Sequence, residues 1–229
     1  MSRIFPWGLL LGLGPLPWMA NAEVDHTRSL SVVQVRTYPG PGKVAYGSGV
    51  VVGPDRVVTN CHVTRPALKI SVSKGPMQFP AVTQQVDTRH DLCLLTTPGL
   101  PFPKANLGDT TGLKLGQPLY LYGYPRALGI AYSEGKVEAL HPFDGGRVIE
   151  TSANFDLGAS GGGLFDEAGK LVGLATFMSA GHAGGYFAVP VDWIAELRKR
   201  AAHEIGPLQG MAFWEDRAAL PAFLKPPGR

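Results

Sequence analysis

From residue 28 onward, apolar residues fall into short runs, at 30–36, 44–52, 56–59, 68–73, 81–86, 92–96, 118–123, 131–139, 147–151, 171–178 and 185–189. Val, Ile, Leu, Tyr and Thr dominate these runs, which suits pleated, half-buried strands. Pro-Gly, Gly-Pro, Pro-Asp, Gly-Asp and Asp-Gly-Gly separate them and supply turn chemistry. One segment has a helical period: in 191–203, Trp193, Ile194, Leu197 and Ala201 share a face, which predicts a helix over that range. Regular short strands followed by one late helix predict an all-β chain of antiparallel barrels or a sandwich and exclude alternating βαβ units. The Pro-, Gly- and polar-rich stretch 98–117 divides the strands into two groups, about 28–100 and about 113–190. The tail after Gly206 carries Phe213, Trp214 and Phe223, while Pro221, Pro226 and Pro227 forbid a long element. Residues 207–229 therefore read as a partly docked extension.

Composition leaves this picture intact. Of 229 residues, 45% are hydrophobic and 17% charged, so a core is affordable and wholesale disorder is not expected. The 30 glycines and 20 prolines lack a period and fit many tight turns. A formal charge of +3 without a basic run argues against nucleic acid as a partner. Arg198, Lys199 and Arg200 form the densest basic group and sit where a helix C-terminus favours cations.

The N-terminus changes the expected location. Arg3 precedes a short apolar stretch, Ile4 to Leu16, and Ala20-Asn21-Ala22 fits a small-x-small cleavage site. A signal peptide over 1–22 is expected, with the domain proper over 23–206. Pro6, Pro15 and Pro17 interrupt the stretch, which falls short of the ~20 apolar residues of a spanning helix. The expectation is an exported bacterial protein, periplasmic or extracellular, without a stable membrane anchor.

The chemistry concentrates at Ser160. A serine hydroxyl needs a base, an acid to orient that base, and backbone donors for an oxyanion. Glycines 158, 161, 162 and 163 surround Ser160, so the Gly158-Ala159-Ser160 backbone can form the oxyanion hole, through the amides of Gly158 and Ser160. His62 directly follows the strand 56–59, and Asp91 stands at the entrance of the apolar strand 92–96. Each signal alone has a bland reading as a turn, a surface imidazole or a strand end. In the order His62, Asp91, Ser160, divided between the two strand groups, they point to a site in the cleft between them.

These residues lie in segments that resemble trypsin-like serine peptidases, and within them the bacterial HtrA-type protease domain. The segments are Gly47-Ser48-Gly49-Val50-Val51-Val52, Val57-Val58-Thr59-Asn60-Cys61-His62-Val63, Asp91-Leu92-Cys93-Leu94-Leu95, Leu107-Gly108-Asp109, Tyr122-Gly123-Tyr124-Pro125, Gly158 to Phe165, and Gly185-Tyr186-Phe187-Ala188-Val189-Pro190. The resemblance spans about 30–200. It implies two antiparallel six-stranded barrels and hydrolysis of protein or peptide substrates through an acyl-enzyme, with no cofactor and no metal. It also places Asn154 at the base of a substrate pocket, with Thr176, Phe177, Met178 and Gly185 along its walls. The absence of an acid at 154 and the presence of Met178 imply small or medium apolar P1 residues. Ala159 stands where the family carries a polar residue, and Leu157 and Gly163 also depart from the pattern; these departures bear on how the oxyanion loop is held. No PDZ domain is expected after the protease domain, so PDZ-regulated quality control is not implied.

Two alternatives remain at the cysteines. If His62 and Asp91 touch, Cys61 and Cys93 are close enough for a disulfide; otherwise they are two buried thiols. A metal site from Cys61, His62, His90 and Cys93 is disfavoured, because adjacent residues on an extended chain face opposite ways. His26, His141, His182 and His203 read as surface residues. Gly158-x-Ser160-x-Gly162 also matches the nucleophile elbow of α/β-hydrolases, but the following residues read as strand, turn, strand. A catalytically silent member of the same fold, serving as a binding scaffold, is the alternative of a different class.

Overall fold

The computed structural model describes residues 26–179 and 185–225. The expected signal peptide and His182 lie outside the described residues.

The first strand group forms one curled antiparallel sheet. Its members are β1 (Val32–Gly40), β2 (Lys43–Gly53), β3 (Arg56–Thr59), β4 (Lys69–Lys74), β5 (Met77–Pro80), β6 (Thr83–Asp87) and β7 (Leu92–Thr96). The second comprises β8 (Asn106–Leu107), β9 (Pro118–Gly123), β10 (Ala131–Phe143), β11 (Gly146–Thr151), β12 (Gly163–Phe165), β13 (Lys170–Ser179) and β14 (Gly185–Pro190). In the second group β12 pairs with both β9 and β13, which closes the six-stranded barrel β12-β9-β10-β11-β14-β13. The first sheet stays open, in the order β6-β7-β3-β2-β1-β4-β5. At its seam Pro80 ends β5, and the next two residues step across: Ala81 donates to Ile70 O of β4 and Val82 to Thr96 O of β7. The chain turns this corner with single bonds, so β5 and β6 form no ladder, and the first barrel is a half-barrel.

The apolar runs are buried as their periodicity implies. Val33, Val35, Val51, Val57, Ile70, Val72 and Leu95 fill the first sheet, and Leu119, Leu121, Val137, Ile149, Leu164 and Val172 fill the second barrel. A third cluster lies at the junction, with Val50, Val58, Leu92, Leu94, Tyr122, Phe165, Phe177 and Phe187. Strand β7 is buried on both faces, which accounts for its unbroken run Leu92-Cys93-Leu94-Leu95.

The late helix is shorter than its period predicts. A 3₁₀ turn (Val191–Trp193) leads into α2 (Ile194–Leu197), and β15 (His203–Glu204) then pairs with β6. Gln85 of β6 explains the stop: its Nε2 donates to the carbonyls of Leu197, Arg198 and Arg200 at 3.3, 2.9 and 2.7 Å. The carbonyls that a longer helix would use internally are spent on a neighbouring strand. The basic group is drawn inward as well, since Arg198 donates to Val52 O and Arg200 pairs with Asp87.

The tail packs closely. Ala212, Phe213 and Leu224 are buried, with Trp214, Leu220 and Phe223 packed against the junction cluster. Among the described residues no helix is long and apolar enough to cross a membrane.

Candidate active site

Strand β3 leads to the candidate base, His62. After Thr59 the chain turns at Asn60 into the one-turn helix α1 (Cys61–Thr64), which carries His62. Strand β7 is entered through a turn in which Asp91 N–H donates to Thr88 O and Asp91 takes a left-handed φ of 57°. Asp tolerates that conformation better than most residues. The two segments are stitched together three times. Asn60 Nδ2 and Cys61 N–H both donate to Asp91 O, at 2.9 and 3.2 Å, and Cys61 is bonded to Cys93. The disulfide alternative is therefore the one the structure adopts, and it removes both sulfurs from any metal site. Among the described residues no cluster of His, Cys, Asp and Glu is arranged to hold a metal.

Asp91 is wholly buried, and both of its oxygens are used. Oδ1 accepts from His62 N–H at 2.8 Å, while Oδ2 lies 2.6 Å from His62 Nδ1 and accepts from Trp214 Nε1–H at 3.2 Å. A carboxylate at Nδ1 keeps the proton on that nitrogen and leaves the Nε2 lone pair free. Trp214 also meets the imidazole edge-on, with ring centroids 5.6 Å apart. The tail thus contributes to this pair, a role that sequence reasoning missed.

Ser160 lies in the loop between β11 and β12, where that loop meets β2 of the first sheet. Ser48 N–H donates to Ser160 O, Gly161 N–H to Ala175 O, and Gly162 N–H to Ala159 O. Ser160 Oγ donates to Thr176 O at 3.3 Å, and among the described residues no hydrogen bond joins it to His62.

The orientation of the loop follows from its carbonyls. Leu157 O accepts from Arg126 N–H at 2.7 Å. In a trans peptide the next N–H points the opposite way, so Gly158 N–H is turned away from Arg126. Gly158 O accepts from Ser48 Oγ at 2.8 Å, and the same hydroxyl accepts from Tyr124 N–H at 2.8 Å. The amides of Gly158 and Ser160 carry no partner among the described residues. Gly158 has a φ of 92°, and a Cβ there would meet Tyr124 O at 2.8 Å. Gly161, at 83°, would press on Ser48 O at 2.1 Å. Ala159 is buried beside Gly123, so the loop is fixed by Ser48 and Arg126 rather than by a side chain at 159. Asp156 adds an exposed ion pair with Arg126; the Leu157 N–H and then that guanidinium hold its carboxyl below the usual range. Ser48 belongs to a recognisable Gly-Ser-Gly motif, but its bridging role depends on β2 meeting this loop and is not visible in spacing.

A cavity of about 450 Å³ is lined by Ala159, the residue before Ser160. Asn154, Phe155, Met178, Tyr132, Ser133 and Tyr186 are among its lining residues, and Ser133 Oγ donates to Asn154 Oδ1 at 2.7 Å. Of the expected pocket residues, Asn154 and Met178 line it. Thr176 points its hydroxyl inward, accepting from Asn60 and donating to Leu174 O. Phe177 stacks between Phe187 and Trp214, and at Gly185 the cavity wall is supplied by the next residue, Tyr186. Strand β13 has a register shift between Ala175 and Phe177, which turns both side chains from the opening.

The other histidines divide. His26 and His203 are exposed, as expected. His141 is not a free surface residue: it pairs with Glu150 at 2.8 Å and stacks on Phe223 of the tail. His90 lies between Asp87 and Asp144 and meets Trp193 at a tilt, with ring centroids 4.2 Å apart.

Comparison with known proteins agrees with this geometry. The family model for a trypsin-like peptidase domain matches residues 47–174. A probable periplasmic serine endoprotease DegP-like of Halomonas elongata is 31% identical over 192 residues, which is 78% of this chain and 36% of the relative. The periplasmic serine endoprotease DegP of Escherichia coli K12 is 32% identical over 67% of this chain and 35% of its own length. The chain thus spans about a third of the length of these curated relatives. Among solved structures, the active form of the Rv3671c protease from M. tuberculosis superposes with a TM-score of 0.73 at 24% identity, covering 93% of this chain and 98% of that one. The HtrA-type protease AlgW with a tripeptide gives 0.68 at 26% identity, covering 76% and 61%.

Proposed function

The chain belongs to the trypsin-like peptidase domain family, and on that premise we propose that it is a serine endopeptidase acting through Ser160, His62 and Asp91. The single observation that carries this reading is the buried Asp91 carboxylate 2.6 Å from His62 Nδ1, beside a serine loop with two uncommitted amides. In this mechanism Ser160 Oγ gives up its bond to Thr176 O and turns to His62 Nε2. The imidazole then takes the hydroxyl proton as Oγ attacks the scissile carbonyl, and Asp91 stabilises the imidazolium. The oxyanion is received by the N–H groups of Gly158 and Ser160, with Ala159 as the link between them. His62 returns the proton to the leaving amine, and water resolves the acyl-enzyme by the same path. No step calls on a cofactor.

The pocket reading is small or medium apolar P1 residues. It is supported by Met178 and the neutral Ser133–Asn154 pair among the lining residues, with no acid in that pair. Export to the periplasm is supported by the leader pattern, by the Cys61–Cys93 bond and by the periplasmic names of the relatives. Incubation of the mature chain with an unfolded protein such as casein tests the activity: fragments are expected, and none with Ser160→Ala or His62→Ala. A second reading, a silent scaffold, is favoured by one observation, the Ser160 hydroxyl turned to Thr176 O. Folded wild-type protein that leaves casein intact at neutral to mildly alkaline pH would select it.

A further inference from the structure

The tail after Gly206 grips the two elements that carry the acid and the base. Leu208 N–H donates to Arg65 O, and the Arg65 guanidinium makes a two-pronged pair with Glu215 at 2.9 and 2.6 Å. Arg65 directly follows α1, so this grip acts on the turn that holds His62. Phe213 N–H donates to Arg89 O, two residues before Asp91, and Phe213 itself is buried in the junction cluster. Between these anchors stands Trp214. Its ring stacks on Phe177 at 4.9 Å with planes 12° apart, and that fixes where its N–H points. The N–H meets Asp91 Oδ2, the oxygen that also faces His62 Nδ1.

We propose that Trp214 is a positioning residue of the peptidase, its indole N–H holding the Asp91 carboxylate in the plane that His62 requires, so that the C-terminal segment completes the triad. This rests on the serine-peptidase reading above. Asp91 is wholly buried, and apart from Trp214 the groups donating to its carboxylate are the backbone and ring N–H of His62. The indole is thus the one anchor of the carboxylate among the described residues that does not move with the base. It also disperses charge on the oxygen that faces the imidazole, which a ring of the same shape without an N–H would leave undone. The charged groups packed on this pair are Arg65 and Glu215. Both remain in every variant considered, as do the neutral Asn60 and Thr176.

The test replaces Trp214 with Phe and, separately, with benzothienylalanine, which keeps the ring system and changes N–H to sulfur. With a chromogenic peptide substrate, kcat is expected to fall on the order of tenfold in both, with KM within about twofold of wild type, because the residue touches Asp91 and not the pocket. In the same proteins the NMR titration midpoint of His62 is expected to rise by roughly half a unit, since a carboxylate stripped of a donor attracts the imidazolium more strongly. A benzothienylalanine protein with wild-type kcat and an unmoved or lowered midpoint would overturn the proposal, and Trp214 would then be packing alone. If Trp214→Phe does not fold, the isosteric replacement decides. If the wild type has no activity, the peptidase reading fails, and the His62 titration still decides whether the indole acts on Asp91.

Discussion

Replacing Ser48 with alanine removes one oxygen and tests how the nucleophile loop is held. Ser48 is fully buried, and its hydroxyl sits between two main-chain groups, accepting from Tyr124 N–H and donating to Gly158 O, each at 2.8 Å. Alanine fills almost the same space, so little of the cost is cavity. The cost is two backbone groups left without partners in a site closed to water, about 1–3 kcal/mol each. The sum is roughly 2–6 kcal/mol, and for a chain of this size about 3 kcal/mol corresponds to roughly 6–12 °C in Tm. Under the proposed mechanism the effect should reach the chemistry, because Gly158 carries both the carbonyl that Ser48 holds and the amide assigned to the oxyanion. Urea unfolding of wild type and Ser48→Ala, followed by fluorescence, gives the stability, and acylation rates on the same samples give the loop. A loss below about 1 kcal/mol at unchanged m, with normal acylation, would refute the assignment of Ser48 as the bridge.

Three further outcomes are expected. Gly158→Ala places a Cβ at a φ of 92° against Tyr124 O and Arg126 N, so acylation should slow on the order of 10²-fold while the overall fold, checked by circular dichroism, persists. Unreduced, denatured protein should show no free thiol, and Cys61→Ala with Cys93→Ala should cost roughly 3–4 kcal/mol in urea titrations, for a bond closing a sequence separation of 32. For Glu215 and Asp87, burial works against the carboxylate but is outweighed, by the Arg65 pair and the Ala212 N–H at Glu215 and by His90 and Arg200 at Asp87, so both lie below the usual range. A depressed folded pKa gives stability that is complete above the ordinary carboxylate pKa, about 4, and is lost as pH falls through the folded values. Stability measured between pH 7 and pH 3 should therefore decline below about pH 4, and Arg65→Met should flatten part of that decline.

Much of the fold was legible because strand periodicity and turn residues are local. The run 92–96 announced an apolar strand, and the glycines around Ser160 announced a loop with unusual φ. The order His62, Asp91, Ser160 was enough to bring Cys61 and Cys93 into view. What escaped depends on contacts between distant segments. The helix expected over 191–203 stops at Leu197 because Gln85, from another strand, takes its carbonyls. Nothing near Trp214 in the sequence tells that its N–H reaches Asp91, 123 residues away. The inward turn of Thr176 and Phe177 follows from a register shift in β13, and side-chain alternation alone does not reveal one. The open first sheet was hidden for a similar reason, since Pro80 marks a turn but not which strands it leaves unpaired.

The central claim is that Ser160 is a nucleophile activated by His62 in an oxyanion-competent loop. The most direct measurement is labelling of the folded mature protein with a fluorophosphonate, followed by peptide mass spectrometry. A single adduct on Ser160, lost in Ser160→Ala and slowed on the order of 10³-fold or more in His62→Ala, is the predicted result. Folded protein that takes up no label at mildly alkaline pH, or takes it up elsewhere, would contradict the account.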